Sequence, residues 1–382
     1  MNYSEAILGD EEYCLFNDEE EFASYLEIIQ EQTEWRTFPV QEVKFSGVVS
    51  IDELDGGISE ADEDTVNNGT QLFLNAEGER FPVRACGLAS ITDRAGVSGE
   101  FLKRLNAKEL SQVLNLACEK VNVLPRASTG KRSSDAQGKI AVVNGKVSAF
   151  LSANGGNNEY SVTPSLEILK KTEEAVKTVS EPMTFKGAFS YSEVYAKWVL
   201  NKIMPGVLPE DDTGLPYHLA ISMATSDIGI SAVRLSASLI REKSNYEIPL
   251  VGEEKIVHRN GAKDLDIQES IEKIMAAVNT NSAKLSKLSS ILIEYPETTM
   301  KRVAKALKLP KRPVMNAIND EISRNGNKQM TALQCYTCIA RCSGEYCNNQ
   351  KNPAMQAMLQ RNLLKMLAVK WQAYDMPGEF NW

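Results

Sequence analysis

Residues 139–152 read KIAVVNGKVSAFLS. Asn144 and Gly145 stand between two runs of alternating β-branched and small residues, and Asn-Gly supplies the two positive φ values of a type I′ turn. The stretch is a β-hairpin. It decides the fold class, because strands joined by two residues must run antiparallel, whereas a parallel pair needs a crossover of about a dozen residues or more.

Outward from this hairpin the same grammar recurs. Residues 71–85 (QLFLNAEGERFPVRA) form a second strand pair turning at Glu77-Gly78. Further strands are predicted at MTFKGAFSY (183–191), YHLAISMAT (217–225), SAVRLSASLI (231–240) and EKIVHRNG (254–261), and a looser alternation marks another between Pro39 and Asp52. Residues 107–122 place Leu110, Val113, Leu114, Ala117 and Val121 on one helical face, and a second amphipathic helix covers 165–179. In ITDRAGVSGEFLKRL (91–105), Thr92 or Asp93 is expected to cap a short helix that Gly96 breaks. Loops are expected at 52–70 and 205–216.

The chain of 382 residues is 43% hydrophobic and 24% charged, as in ordinary globular proteins. No run approaches the roughly 18 apolar residues of a membrane-spanning helix and no export signal is evident, so a cytoplasmic location in a bacterial host cell, with no membrane partner, is expected. Residues 1–66 hold 19 Asp/Glu against Arg36 and Lys44, a net of −17, which leaves +8 for residues 67–382 within the total of −9. The acidity is local: an acidic arm precedes a basic body. Within the arm, Phe22, Tyr25, Leu26 and Ile29 recur at helical spacing.

From residue 265 the pattern turns helical. Ile267, Ile271, Ile274, Val278, Asn281, Leu285, Leu288 and Leu292 follow 4,3 spacing, with Asn281 as the one polar residue in the seam. Two uses fit such a seam: a homo-oligomer through residues 267–292, or a long helix packed within its own chain. The fold expected is α+β. An antiparallel, hairpin-built sheet with helices on one side spans 38–262, after an acidic arm with a short helix at 1–37, and a mainly helical C-terminal domain occupies 263–382.

Candidate sites are few. Cys335, Cys338, Cys342 and Cys347 lie close enough in sequence for zinc or an iron–sulfur cluster, but no zinc-ribbon spacing is met. The first three also fall at i, i+3 and i+7, one helical face, where reduced Cys is a small buried hydrophobe; no metal or cofactor is therefore assigned. His218 and His258, the two histidines, read as polar strand-end residues. The loop RASTGKRSS (126–134) lacks a phosphate-binding motif, with Pro125 and Arg132 where a glycine and a Ser/Thr are required. It still carries Arg126, Lys131 and Arg132, and either drapes over a polyanion or is solvated. No carboxylate pair or Ser/His/Asp set stands at interpretable spacing, so no catalytic residue is assigned.

The segment MKRVAKALKLPKRPVMN (300–316) concentrates Lys301, Arg302, Lys305, Lys308, Lys311 and Arg312. Its apolar positions predict a helix, a break at Pro310 and a second helix through Val314, Met315, Ile318 and Ile322, which resembles a helix-turn-helix without the usual turn glycine. With Lys103-Arg104 and the 126–134 loop, it is the expected DNA contact surface.

The ordered segments ITDRAGVSGEFLKRL, GKVSAFLSANGGNNEYSVTPSLEIL, FKGAFSYSEVYAKWVL and SMATSDIGISAVRLSASLI resemble domain-of-unknown-function family 932 of phage and plasmid proteins, over residues 80–262. The resemblance implies a mobile-element origin and supplies no activity or catalytic residues. The function expected is therefore a non-enzymatic phage or mobile-element DNA-binding protein of the single-strand annealing kind. The alternative is a structural or host-interaction protein that binds protein partners through the acidic arm and the heptad helix.

Overall fold

The computed structural model describes residues 14–48, 50–53, 70–94, 102–121, 137–153, 161–203, 217–229, 232–241, 247–257, 266–343 and 353–382. The hairpin forms as expected. β6 (Gln137–Val143) pairs antiparallel with β7 (Lys146–Ser152), Val143 opposite Lys146, and the turn residues Asn144 and Gly145 have φ of 48° and 73°. Alternate residues serve two different cores: Ala141, Val143, Ala149 and Leu151 enter one, Ile140, Val142, Val147 and Phe150 the other. Burial on both faces is why this hairpin is apolar on both sides.

The second core is closed by two three-stranded sheets and two helices. β2 (Thr33–Pro39) lies on the outer side of β6, and β3 (Lys44–Gly47), β4 (Leu72–Ala76) and β5 (Glu79–Pro82) form the other sheet, turning at Glu77 and Gly78 with positive φ. Helices α2 (Ala85–Arg94) and α3 (Ala107–Val121) complete it. The expected cap at Thr92 or Asp93 is corrected here: α2 starts at Ala85, and the Thr92 hydroxyl, near its end, donates back to Leu88 O at 2.9 Å. The early start depends on packing. Gly87 lies so close to β7 that a Cβ there would stand 2.3 Å from Val147 O. Gly96 lies outside the described residues.

The first core is built on a six-stranded antiparallel sheet in the order β1-β8-β9-β10-β11-β12. Its strands are β1 (Cys14–Phe16), β8 (Pro182–Phe189), β9 (Val194–Ile203), β10 (Tyr217–Thr225), β11 (Val233–Arg241) and β12 (Glu247–Ile256). The acidic helix α1 (Glu19–Glu31) buries Phe22, Tyr25, Leu26 and Ile29 in this core, and Glu19 accepts the Trp198 indole N–H at 2.7 Å. Helix α4 (Ser165–Val179) lies on the same sheet face, its Thr172 hydroxyl 3.5 Å from Met223 Sδ.

Helix α5 (Ile267–Leu288) carries the heptad seam and resolves its two uses. The seam packs against α4, β11 and β12 of its own chain, and Asn281 Nδ2 donates to Leu250 O at 2.6 Å. Six of the eight seam side chains, from Ile267 to Leu288, are buried within their own chain and Asn281 is partly buried, while Leu292 is 57% exposed, so the seam of α5 itself is not open to a second copy.

The remaining elements are β13 (Leu292–Ile293), α6 (Pro296–Ala306), α7 (Lys311–Asn325), β14 (Met330–Thr331), α8 (Ala332–Ala340) and α9 (Pro353–Lys365). The fold is α+β, with a large antiparallel sheet and a helical C-terminal region. The first core runs from Phe16 to Trp371 and breaks neither at 37/38 nor at 262/263. Among the described residues no helix is long and apolar enough to cross a membrane.

Candidate nucleic-acid interface

Helix α6 begins at Pro296, whose ring presets φ and whose missing N–H is not needed at a first helical position, and Glu297 complements the positive helix end. It ends in a closed turn: Lys308 N donates to Lys305 O and Leu309 N to Ala304 O, both at 3.0 Å. These two bonds are the pair of a Schellman motif, which requires a left-handed residue, usually glycine, just past the helix. Lys308 takes that conformation at φ 54°. A lysine thus stands at the C′ position of α6, where glycine is usual.

Pro310 then stands at the N-cap of α7 and provides no side-chain cap, so the first N–H groups of α7 have no partner from it. Lys311 and Arg312 open the helix with no acidic residue in the first turn. Cations at the positive end of a helix oppose the macrodipole, in a position where an acidic side chain is worth about 0.3–1 kcal/mol. Both are exposed, as is Lys308. At the N-terminus of α7 the Lys311 and Arg312 charges and their backbone N–H groups together attract an anion.

The buried side of the pair is apolar. Val303, Ala304, Leu309, Val314, Ala317 and Ile318 are enclosed and join the cysteine face of α8. Thr331 and Gln334 start α8 with a reciprocal capping box, which points Cys335 and Cys338 inward, and Cys338 Sγ donates to Ala317 O at 3.4 Å. Burial pushes the Cys338 thiol up to about 12 and the Cys335 thiol up as well, so neither supplies a thiolate at neutral pH. Cys342 is buried too, and Cys347 lies outside the described residues. Among the described residues no group of three or more His, Cys, Asp or Glu is placed to hold a metal. His218 is buried with Nδ1 3.2 Å from Leu200 O, and His258 is not among the described residues.

One acidic residue is turned away from the surface. Glu321 is buried and bonds Arg341 at 2.6 Å and Asn325 at 2.7 Å. That leaves Asp320 as the exposed acid of α7, beside exposed Asn316, Asn319, Ser323 and Arg324, with exposed Lys328 just beyond.

Of the eleven basic residues expected to contact DNA, those among the described residues divide between the helix pair α6/α7 and a 3-10 turn at Leu102–Arg104. Lys308, Lys311 and Arg312 cluster at the turn. Lys301 is half-buried and paired with Glu297 at 2.5 Å, while Arg302 and Lys305 engage the C-terminal segment, which the sequence reading did not connect with this site. Arg104 is exposed in a 3-10 turn, Leu102–Arg104, which also holds the backbone of Lys103. That turn borders the second core through Leu102 and Leu105, whereas α6 and α7 belong to the first. Arg126, Lys131 and Arg132 lie outside the described residues. Comparison of the chain with protein-family models, with curated proteins and with solved structures finds no match.

Proposed function

We propose that the protein is a non-enzymatic DNA-binding protein that places the N-terminus of α7 in the major groove of duplex DNA, with Lys308, Lys311 and Arg312 on the phosphates and groove edge. One observation carries the reading: two packed helices joined by a left-handed turn, with three exposed cations set at the uncapped start of the second helix. Duplex is preferred to single strand because the ring-forming annealing proteins need an oligomerising scaffold, and the heptad seam is filled by its own chain. The acidic helix is likewise committed to the core, which favours DNA over a protein partner held by that helix. The resemblance over residues 80–262 adds a phage or mobile-element setting, in the bacterial cytoplasm.

The test is a titration of labelled duplex and single-stranded DNA at several salt concentrations, with wild type and a Lys311→Glu/Arg312→Glu variant. Glutamate at these positions suits the helix dipole, so the variant keeps its melting temperature. The wild type is expected to prefer duplex, and the variant to bind more weakly with a salt slope shallower by about 1.8, at about 0.9 per lost phosphate contact. Equal affinity and slope for the two proteins would remove this surface from any DNA site.

A further inference from the structure

Phe380 lies over two of the basic residues of α6. Arg302 Cζ stands 5.6 Å and Lys305 Nζ 5.2 Å from the ring centroid. Arg302 Nη1 also donates to Tyr374 O at 3.2 Å and Met376 O at 2.6 Å. Between those carbonyls, the Asp375 carboxylate accepts from Glu294 N and Tyr295 N, both at 2.8 Å, and from the Thr299 hydroxyl at 3.1 Å. Residues 374–380 therefore run as a strap over the start and outer face of α6. Among the groups they engage are two cations and N–H donors at the entry to a helix, which also attract a phosphate.

The strap adjoins the surface assigned to DNA. Lys301 and Lys305 are spaced i and i+4 on α6, and Lys308 lies two residues past its end, in the turn that leads on to Lys311 and Arg312. Lys305 is exposed apart from its contact with Phe380. A cation–π contact at an exposed site is weak enough to be exchanged for a phosphate.

We infer that residues 374–380 are an intramolecular competitor for the DNA backbone. The strap covers Arg302 and Lys305 in the free protein and yields them when DNA extends along α6. This inference rests on the reading of α6 and α7 as the DNA surface. It limits the free protein to the cations of the turn, and makes the Phe380 contact a brake on affinity.

The test uses the full chain with Phe380→Ala and Phe380→Leu, the second keeping apolar packing without the aromatic face. Binding to a labelled duplex is measured between about 50 and 200 mM salt, where each phosphate neutralised adds about 0.9 to the slope. Both variants are expected to bind more tightly at low salt, with slopes steeper by up to about 1.8 if Arg302 and Lys305 each gain a phosphate. Wild-type binding with unchanged variant slopes would overturn the strap and leave the DNA surface standing. Weaker binding by both variants at unchanged melting temperature would also overturn it, since the strap would then support the site. No binding by any of the three proteins at low salt removes both readings.

Discussion

Lys308 sets stability against binding at a single position. Its φ of 54° is the left-handed conformation that disfavours a Cβ by about 1–2 kcal/mol, while a glycine there frees the unfolded chain and returns part of that gain. Lys308→Gly is therefore expected to raise stability by up to about 1 kcal/mol in urea unfolding and to weaken DNA binding, with a slope shallower by about 0.9. A drop in both quantities would mean that the turn does not hold the lysine under strain. Asp227 offers a second residue-level case. Its carboxylate accepts from Ser165 N at 2.5 Å at the start of α4, and burial raises its pKa above the ordinary carboxylate value. An acid whose folded pKa is raised takes up a proton on folding. Its contribution favours the fold below the unfolded pKa and is lost as pH rises through the folded one. Asp227→Asn keeps the acceptor oxygen without the charge. The variant is expected to be more stable than wild type at pH 7 and to lose that advantage towards pH 4, as measured by chemical denaturation across that range; an advantage independent of pH would exclude the titration.

At the scale of elements, α5 separates two meanings of one sequence pattern. A polar residue in a coiled-coil seam fixes register at the expense of stability, so replacing it by leucine should stabilise an oligomer or change its size. Here Asn281 donates to the backbone of β12, and Asn281→Leu leaves the buried Leu250 carbonyl without that donor. The expected result is a loss of about 1–2 kcal/mol with no change in mass by light scattering. A gain in stability or a larger particle would restore the oligomer reading. The same contrast explains what was legible. The turns at Asn144-Gly145 and Glu77-Gly78 were readable because positive φ is a local demand, and α1, α3, α4 and α5 were readable because one apolar face suffices to mark a helix. β9 was not among the expected strands, since Tyr195 and Lys197 interrupt the apolar pattern of the face opposite Trp198, where the Tyr195 hydroxyl bonds Ser222 of β10 and Lys197 pairs with Glu247 of β12. β12 was seen only at its end for the same reason: Glu247 and Glu253 find their cations on β9, β11 and α9. For the surface proposed to bind DNA, the helix pair and its charge were legible. The strap was not, because nothing local to residues 374–382 marks α6 as their partner.

In the whole molecule, α9 and Ser343, just beyond α8, are tied to the six-stranded sheet by a polar seam. Lys197 is buried in a pair with Glu247, which also accepts from Ser238 at 3.2 Å and from Gln360 of α9 at 3.0 Å, while Glu247 N donates to Ser343 Oγ at 3.1 Å. Arg234 extends the seam to Glu193 and Glu253, and Glu253 reaches Arg361 of α9 at 3.7 Å. Sheet and C-terminal helices therefore share their buried charges as well as their core, and a change in one is felt in the other. Glu247→Ala leaves the Lys197 ammonium enclosed without its anion, a loss of about 3–5 kcal/mol for a buried pair broken on one side. In the wild type burial pulls the Lys197 pKa down but the Glu247 charge outweighs it and holds the pKa above the ordinary lysine range, so while Glu247 is ionised the contribution is fully present below the unfolded lysine pKa and is lost as pH rises through the folded value. Without Glu247 the sign reverses: burial then depresses the folded pKa, the unfolded chain binds the extra proton, and stability recovers as pH rises towards the lysine range. The stability gap between Glu247→Ala and wild type is accordingly expected to narrow from pH 6 to pH 10. Unfolding followed at once by helical and aromatic signals should remain a single transition at both pH values. A gap that stays constant with pH would show that Lys197 finds another anion, and two separate transitions would show that the C-terminal helices fold independently of the sheet.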